Sequence, residues 1–134
     1  MDAAVRELVR RRAGNRCEYC RLRQEHTPYV LQIEHIVARK HDGGDELSNL
    51  ALACDRCNLH KGSDLSGIDP ETKQIVGLFN PRTESWHEHF ILQEVEILGR
   101  SASGRATVRV LKMNSPRRLR VRAALQKRGE LDVD

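Results

Sequence analysis

The chain has 134 residues, of which 39% are hydrophobic, 4% aromatic and 31% charged, with a formal net charge of +4 at pH 7 and a pI near 9.1. That length predicts one compact domain, and so few aromatics predict a thin core that needs reinforcing by a metal or a partner. No apolar run approaches the roughly 18 residues of a membrane span, and the opening MDAAVRELVRRR lacks the apolar stretch of a secretory signal, so no membrane is involved and a cytoplasmic location is expected.

The charge is segregated. Residues 6–23 hold seven arginines against two acids, residues 100–128 hold ten basic residues and no acid, and residues 24–99 hold six basic residues against thirteen acidic ones. Basic flanks around an acidic middle suit a chain that grips phosphates at its ends and holds a cation at its centre, although arginine-rich helices also serve plain solubility.

In chain order, residues 3–13 place Ala4, Val5, Leu8 and Val9 at helical spacing and stop at Gly14-Asn15, which predicts a short basic helix. Residues 29–37, rich in β-branched and aromatic side chains, read as a strand with His35 at or near its end. Residues 41–45 (His-Asp-Gly-Gly-Asp) form a loop, and Ser48-Asn49 either caps a short helix or leads into a second strand. Residues 55–61 suit a short helix closed by Gly62, residues 74–79 a short strand, and residues 90–98 a strand. Residues 105–113 are ambiguous and lean to helix. Pro116 fits the first turn of a last helix that ends before Gly129.

Two C-x-x-C pairs, Cys17/Cys20 and Cys54/Cys57, stand thirty-three residues apart. Each two-residue spacing lets both thiolates of a knuckle face one ion, and two knuckles complete the tetrahedral four-sulfur site of structural zinc. The competing readings are redox pairs and unligated thiols. A redox pair would want a βαβ context that is missing, and a reducing compartment disfavours disulfides. Four thiolates leave no open coordination position, so this Zn²⁺ contributes folding energy and performs no Lewis-acid chemistry.

Between and after the knuckles lie Glu34-His35-Ile36, Gly43-Gly44, Asn49-Leu50 and Asn58-Leu59-His60-Lys61-Gly62. In order and spacing, over about residues 14–64, this resembles the HNH endonuclease family in its zinc-stapled branch. The resemblance implies an α+β fold: a small ββα-metal finger stapled by the four cysteines, with a basic N-terminal helix and a C-terminal strand-helix extension. It divides the chain into a nuclease core with its knuckle, residues 1–66, and a basic extension packed on that core, residues 67–134.

It further implies that His35 is the general base that activates water and that Asn49 orients it. Glu34, where relatives commonly carry Asp, and Asn58 would hold a catalytic divalent cation such as Mg²⁺. An imidazole can accept a proton near neutral pH, and hard oxygens suit such an ion. Lys61, three residues beyond Asn58, is placed to reach a phosphate. Composition adds Arg117, Arg118, Arg120 and Arg122 as phosphate contacts, because guanidinium forks match phosphate geometry. His60 is a second candidate ligand on a different helical face, and His87 and His89 are a weaker pair. The expected partner is DNA, with RNA left open and the oligomeric state, a homodimer included, undecided. The expected function is metal-dependent phosphodiester hydrolysis; the alternative is a non-catalytic zinc-stabilised nucleic-acid-binding module.

Overall fold

In the computed structural model, which describes residues 1–134, the first helix, α1 (Ala3–Arg12), starts at Asp2, whose carboxylate accepts from Val5 N at 2.9 Å. It stops at Gly14 and Asn15, both at positive φ. Val9 is its buried residue. Two of its arginines reach across the fold: Arg10 donates to Leu31 O at 2.8 Å, and Arg12 to Leu47 O and Leu50 O at 3.0 and 2.6 Å. Part of the basic flank is thus spent on capping carbonyls of the strand pair behind it.

Strand β1 (Gln32–His35) pairs antiparallel with β2 (Leu50–Ala53), in a register that sets Gln32 opposite Ala53 and His35 opposite Leu50. The strand is shorter than residues 29–37 because Tyr29 and Val30 are exposed and outside the pairing. At Ser48-Asn49 both alternatives occur in succession: a 3₁₀ turn, Leu47–Asn49, runs straight into β2. Helix α2 (Asp55–Lys61) follows at once, capped by the Cys54 sulfur and ended at Gly62. The order β1, β2, α2 is the expected ββα unit.

Beyond it come the hairpin of β3 (Ser66–Ile68) with β4 (Ile75–Gly77), a single helical turn α3 (Trp86–His89), and the hairpin of β5 (Phe90–Gln93) with β6 (Glu96–Gly99). Helices α4 (Ala102–Val110) and α5 (Pro116–Lys127) complete the α+β fold, whose strands form three separate two-stranded sheets. The single strand expected over residues 90–98 is two strands, because Glu94 turns the chain at φ 56° without any glycine or asparagine to announce it. Gly99 lies so close to α4 that a Cβ there would meet Arg105 N at 2.2 Å.

One continuous buried cluster runs through Val9, the four cysteines, Leu31, residues 50–53, Phe79, Trp86, Phe90, Ile97, Leu111 and Met113. Phe79 meets Tyr19 edge-on at 6.4 Å between centroids and Phe90 at 5.1 Å, and the Trp86 indole N–H donates to Tyr19 O at 2.8 Å. Aromatic side chains of this size contribute about 1.5–3 kcal/mol each on burial, so the few aromatics present are concentrated where the extension meets the first knuckle. No helix is long and apolar enough to cross a membrane.

Candidate functional site

The two knuckles converge. The sulfurs of Cys17, Cys20, Cys54 and Cys57 all lie within 4.8 Å of one another, all four residues are buried, and the Cys20 and Cys54 sulfurs are 3.6 Å apart. Tetrahedral zinc with Zn–S bonds of about 2.3 Å needs sulfurs about 3.8 Å apart, so the donor set fits the ion. Each knuckle closes on itself: Cys20 N donates to the Cys17 sulfur and Cys57 N to the Cys54 sulfur, both at 3.4 Å. Burial pushes the Cys17 and Cys57 thiols up, whereas hydrogen bonds from the other three cysteines pull Cys20 well below the usual thiol range.

Arg118 completes this cluster from α5. Its Nη2 stands 3.0 Å from the Cys57 sulfur and 3.9 Å from that of Cys54, and its Nη1 donates to Leu111 O at 2.8 Å. Burial alone would lower its pKa; the thiolates of Cys20, Cys57 and Cys54 outweigh that and raise it. Four thiolates around Zn²⁺ would carry a net charge of −2, and Arg118 supplies a partly buried countercharge. Arg122, one turn on, is buried, with Nη1 on Val95 O at 2.9 Å and Nη2 on Met113 O. The expectation that Arg118 and Arg122 contact phosphate is therefore corrected, since both guanidinium groups are satisfied inside the fold. Arg117 and Arg120 lie on the exposed side of the same helix.

Strand alternation decides the fate of Glu34. Gln32 and Glu34 project from one side of β1 and Ile33 and His35 from the other. On the first side, α2 lays Asn58 on Gln32, its carboxamide donating to Gln32 Oε1, and Lys61 on Glu34, with Nζ 2.6 Å from Oε1. A spacing of three on the helix thereby matches a spacing of two on the strand. Lys61 also donates to Ile36 O at 2.9 Å, and the other Glu34 oxygen accepts from the Tyr19 hydroxyl at 2.7 Å. Glu34 is 5% exposed and Lys61 3%. Burial raises the Glu34 pKa above the ordinary carboxylate value, against the opposing pull of Lys61 and Tyr19.

A six-coordinate divalent ion requires oxygens that water and substrate can share. Here Glu34 Oε2 accepts from Tyr19, while buried Oε1 has no hydrogen-bond partner and stands in an ion pair with Lys61, so a cation held by Glu34 and Asn58 would have to compete with the Lys61 ammonium. Lys61 likewise does not reach outward to phosphate, because its ammonium neutralises Glu34.

His35 sits at the end of β1, its side chain 24% exposed, with Nε2 2.7 Å from Asp45 Oδ1. Arg39 Nη2 donates to the same carboxylate at 2.8 and 3.0 Å. The hydrogen bond from His35 is the main cause of the lowered Asp45 pKa, with Arg39 adding to it. Asn49 is buried and does not touch the His35 ring. Its Oδ1 accepts from Val37 N at 2.8 Å, and its Nδ2 donates to Val37 O at 2.9 Å and Gly44 O at 2.8 Å. The loop between His35 and Asn49 is cinched so tightly that a Cβ on Gly43 would stand 1.7 Å from Val37 O.

The remaining histidines do not converge. His60 is held below its usual value by burial and by the cations Lys112, Arg118 and Arg56. His87 and His89 stand on a helical turn rather than a strand; His87 pairs with Asp134 at 2.9 Å, and His89 with Ser101 Oγ and Glu84 at 2.6 and 3.2 Å. Sequence reasoning passed over Asp45, Gln32 and Tyr19. For Asp45 the available signal was its place directly after Gly43-Gly44, and for Gln32 its two-residue offset from Glu34.

Within this ββα unit, stapled by two cysteine knuckles and with a histidine at the strand end, residues 17–64 match the HNH endonuclease family model. Among curated proteins the chain is similar to the Septu protein PtuB of Bacillus thuringiensis, at 28% identity over 111 residues. That match covers 80% of this chain and 40% of the relative, so the chain spans well under half of the relative's length. No solved structure matches the chain.

Proposed function

We propose that this protein is a nuclease that hydrolyses phosphodiester bonds of DNA, with His35 as the general base. The observation that carries the reading is His35 itself: it closes β1 inside the HNH segment, is partly open to solvent, and has one ring nitrogen already engaged by Asp45 at 2.7 Å. The imidazole accepts a proton from water as that water attacks phosphorus in line, and the 3′ oxygen leaves. Exposed Lys40 sits on the loop that follows, and exposed Arg117 and Arg120 on α5, so positive charge is available to phosphates.

HNH nucleases generally use divalent metals, so activity is assayed with Mg²⁺, Mn²⁺ or Ni²⁺. The proton transfer at His35 draws on neither Glu34 nor Lys61. Asn58 is the site residue whose carboxamide lies near solvent, with a single side-chain partner in Gln32.

The test is incubation of zinc-loaded protein with supercoiled plasmid in each divalent ion and in chelator, beside His35→Ala. Wild type converts plasmid to nicked or linear form in at least one ion, and the variant loses about two to four orders of magnitude in rate while keeping its zinc. A variant that cuts like wild type would remove His35 from the role. One observation favours a second reading, a zinc-stabilised nucleic-acid-binding module without turnover: the engagement of Glu34 by Lys61. Salt-sensitive binding to DNA or RNA with no cleavage in any ion would establish it.

A further inference from the structure

Residues 130–134 (Glu-Leu-Asp-Val-Asp) alternate acids with apolar residues, and the fold uses both sets. Leu131 and Val133 are half-buried and line a cavity of about 340 Å³ between α5 and the first knuckle, together with Leu22, Tyr29 and Val121. The acids meet bases: Asp132 Oδ2 stands 2.6 Å from Arg23 Nη2, Glu130 Oε2 3.4 Å from His26 Nε2, and Asp134 Oδ1 2.9 Å from His87 Nε2. An acidic strap thus runs from the end of α5 to the first knuckle.

We infer that this strap occupies, in place of phosphates, a nucleic-acid-binding surface formed by Arg16, Arg21 and Arg23 at the first knuckle; the identity of the partner rests on the nuclease reading, whereas the surface does not. Arg16 and Arg23 are backbone partners in an antiparallel bridge, which sets their side chains on neighbouring strands of the knuckle. Arg21 lies 5.2 Å from the centre of the Trp86 ring, so its guanidinium is fixed over a buried aromatic. The cluster holds more positive charge than its surroundings answer. Nε and Nη1 of Arg16 and Nε of Arg21 are enclosed without a hydrogen-bond partner, a costly state for a donor. Glu18, the acid of this turn, is already taken by Arg82 and by Leu52 N at 2.9 Å. The Asp134 N–H, and then Arg23 and Arg16, hold the Asp132 carboxyl below its ordinary value, so the strap lies in a positive field.

The strap is also replaceable. Its carboxylate side chains are 47% exposed at Glu130, 48% at Asp132 and 83% at Asp134, and exposed pairs of this kind yield readily to a competing anion. Beneath it lie the cavity and a partial contact of Val133 with the core, so it can lift without unpacking α5. Phosphates along a strand present bidentate oxygens to guanidinium forks and release bound counterions when they dock, two gains that isolated carboxylates do not match.

The test is fluorescence anisotropy of a short labelled DNA duplex against zinc-loaded full-length protein, across salt concentrations at neutral pH and without added divalent ion. Neutralising the strap by Glu130→Gln, Asp132→Asn and Asp134→Asn together tightens binding about 10-fold at low salt and steepens the salt dependence by about one to two ions. Neutralising three exposed acids elsewhere, Glu88→Gln, Glu94→Gln and Glu96→Gln, changes the net charge equally and shifts affinity by less than about 3-fold. Adding Arg16→Gln and Arg23→Gln to the neutral strap removes the gain. In the wild type, amide resonances of residues 130–134 move toward free-chain positions as duplex is added. An unchanged affinity on neutralising the strap, an equal gain from the distant acids, or a gain that survives loss of both arginines would overturn the inference. Plasmid cleavage is read separately. Binding as described with no cleavage in any ion ends the nuclease reading and keeps the surface, whereas cleavage with an affinity indifferent to the strap does the opposite.

Discussion

Replacing Lys61 by methionine would strip the countercharge from a buried carboxylate while keeping most of the side-chain volume. Lys61 and Glu34 are almost wholly enclosed, 2.6 Å apart, with Tyr19 and Ile36 O as their other polar partners. Removing one partner of such a pair costs about 3–5 kcal/mol, because the remaining charge is buried without compensation. Glu34 limits that cost by taking up a proton. Its folded pKa is already raised by burial, and Lys61 is the largest influence pulling it down, so the variant raises it further. A raised acid binds more protons in the folded state than in the unfolded one, and stability falls as pH rises from the ordinary carboxylate value of about 4.3 through the folded value. The Lys61→Met penalty should therefore be small in weak acid and grow toward neutrality. Urea unfolding at fixed free zinc, followed by the single tryptophan, Trp86, buried on Tyr19 O, reads it at a series of pH values. Glu34→Gln combined with Lys61→Met should recover most of the loss. A penalty below about 1 kcal/mol, the scale of an exposed pair, or one that does not change with pH, would refute the assignment of Lys61 to Glu34.

Stripping zinc with a chelator should unfold residues of both halves together, since Phe79, Trp86, Phe90 and Met113 share the cluster that contains the four cysteines; loss of the Trp86 signal in step with zinc release checks this. Arg117→Ala with Arg120→Ala should weaken DNA binding and flatten its salt dependence at unchanged stability, as measured by fluorescence anisotropy across ionic strengths. Arg118→Ala should do the reverse, lowering zinc affinity about 10- to 100-fold in a competitive chelator titration while leaving the salt slope alone.

The parts of this fold written locally were legible in the sequence. The knuckles need only two-residue spacing, α1 and α5 only period and punctuation, and α2 only the capping Cys54 and stopping Gly62. The turn at Glu94 was not, because a left-handed glutamate is imposed by the pairing of β5 with β6 rather than by its own preference. Arg118 and Arg122 could have been separated from Arg117 and Arg120 by spacing alone: with Leu125 they repeat at four and three residues, which marks one buried helical face. Charge overrode periodicity in the phosphate expectation. The Lys61 partner of Glu34 was not legible for a related reason, since it depends on which side of β1 packs against α2.

The cysteine cluster and His35 are coupled by geometry. Cys54 caps α2 and Cys17 opens the turn holding Tyr19, so the staple fixes both the helix bearing Asn58 and Lys61 and the hydroxyl that engages Glu34. These anchors engage one side of β1 with partners from α2 and the first knuckle. The other side is left to His35, whose partners come from the loop between the strands and can be varied without disturbing the staple. Structural charge is therefore buried against α2, and reactive charge is displayed on the loop. On this division, substitutions at Glu34 or Lys61 should act first through stability, whereas those at the partly exposed His35 should leave the fold intact.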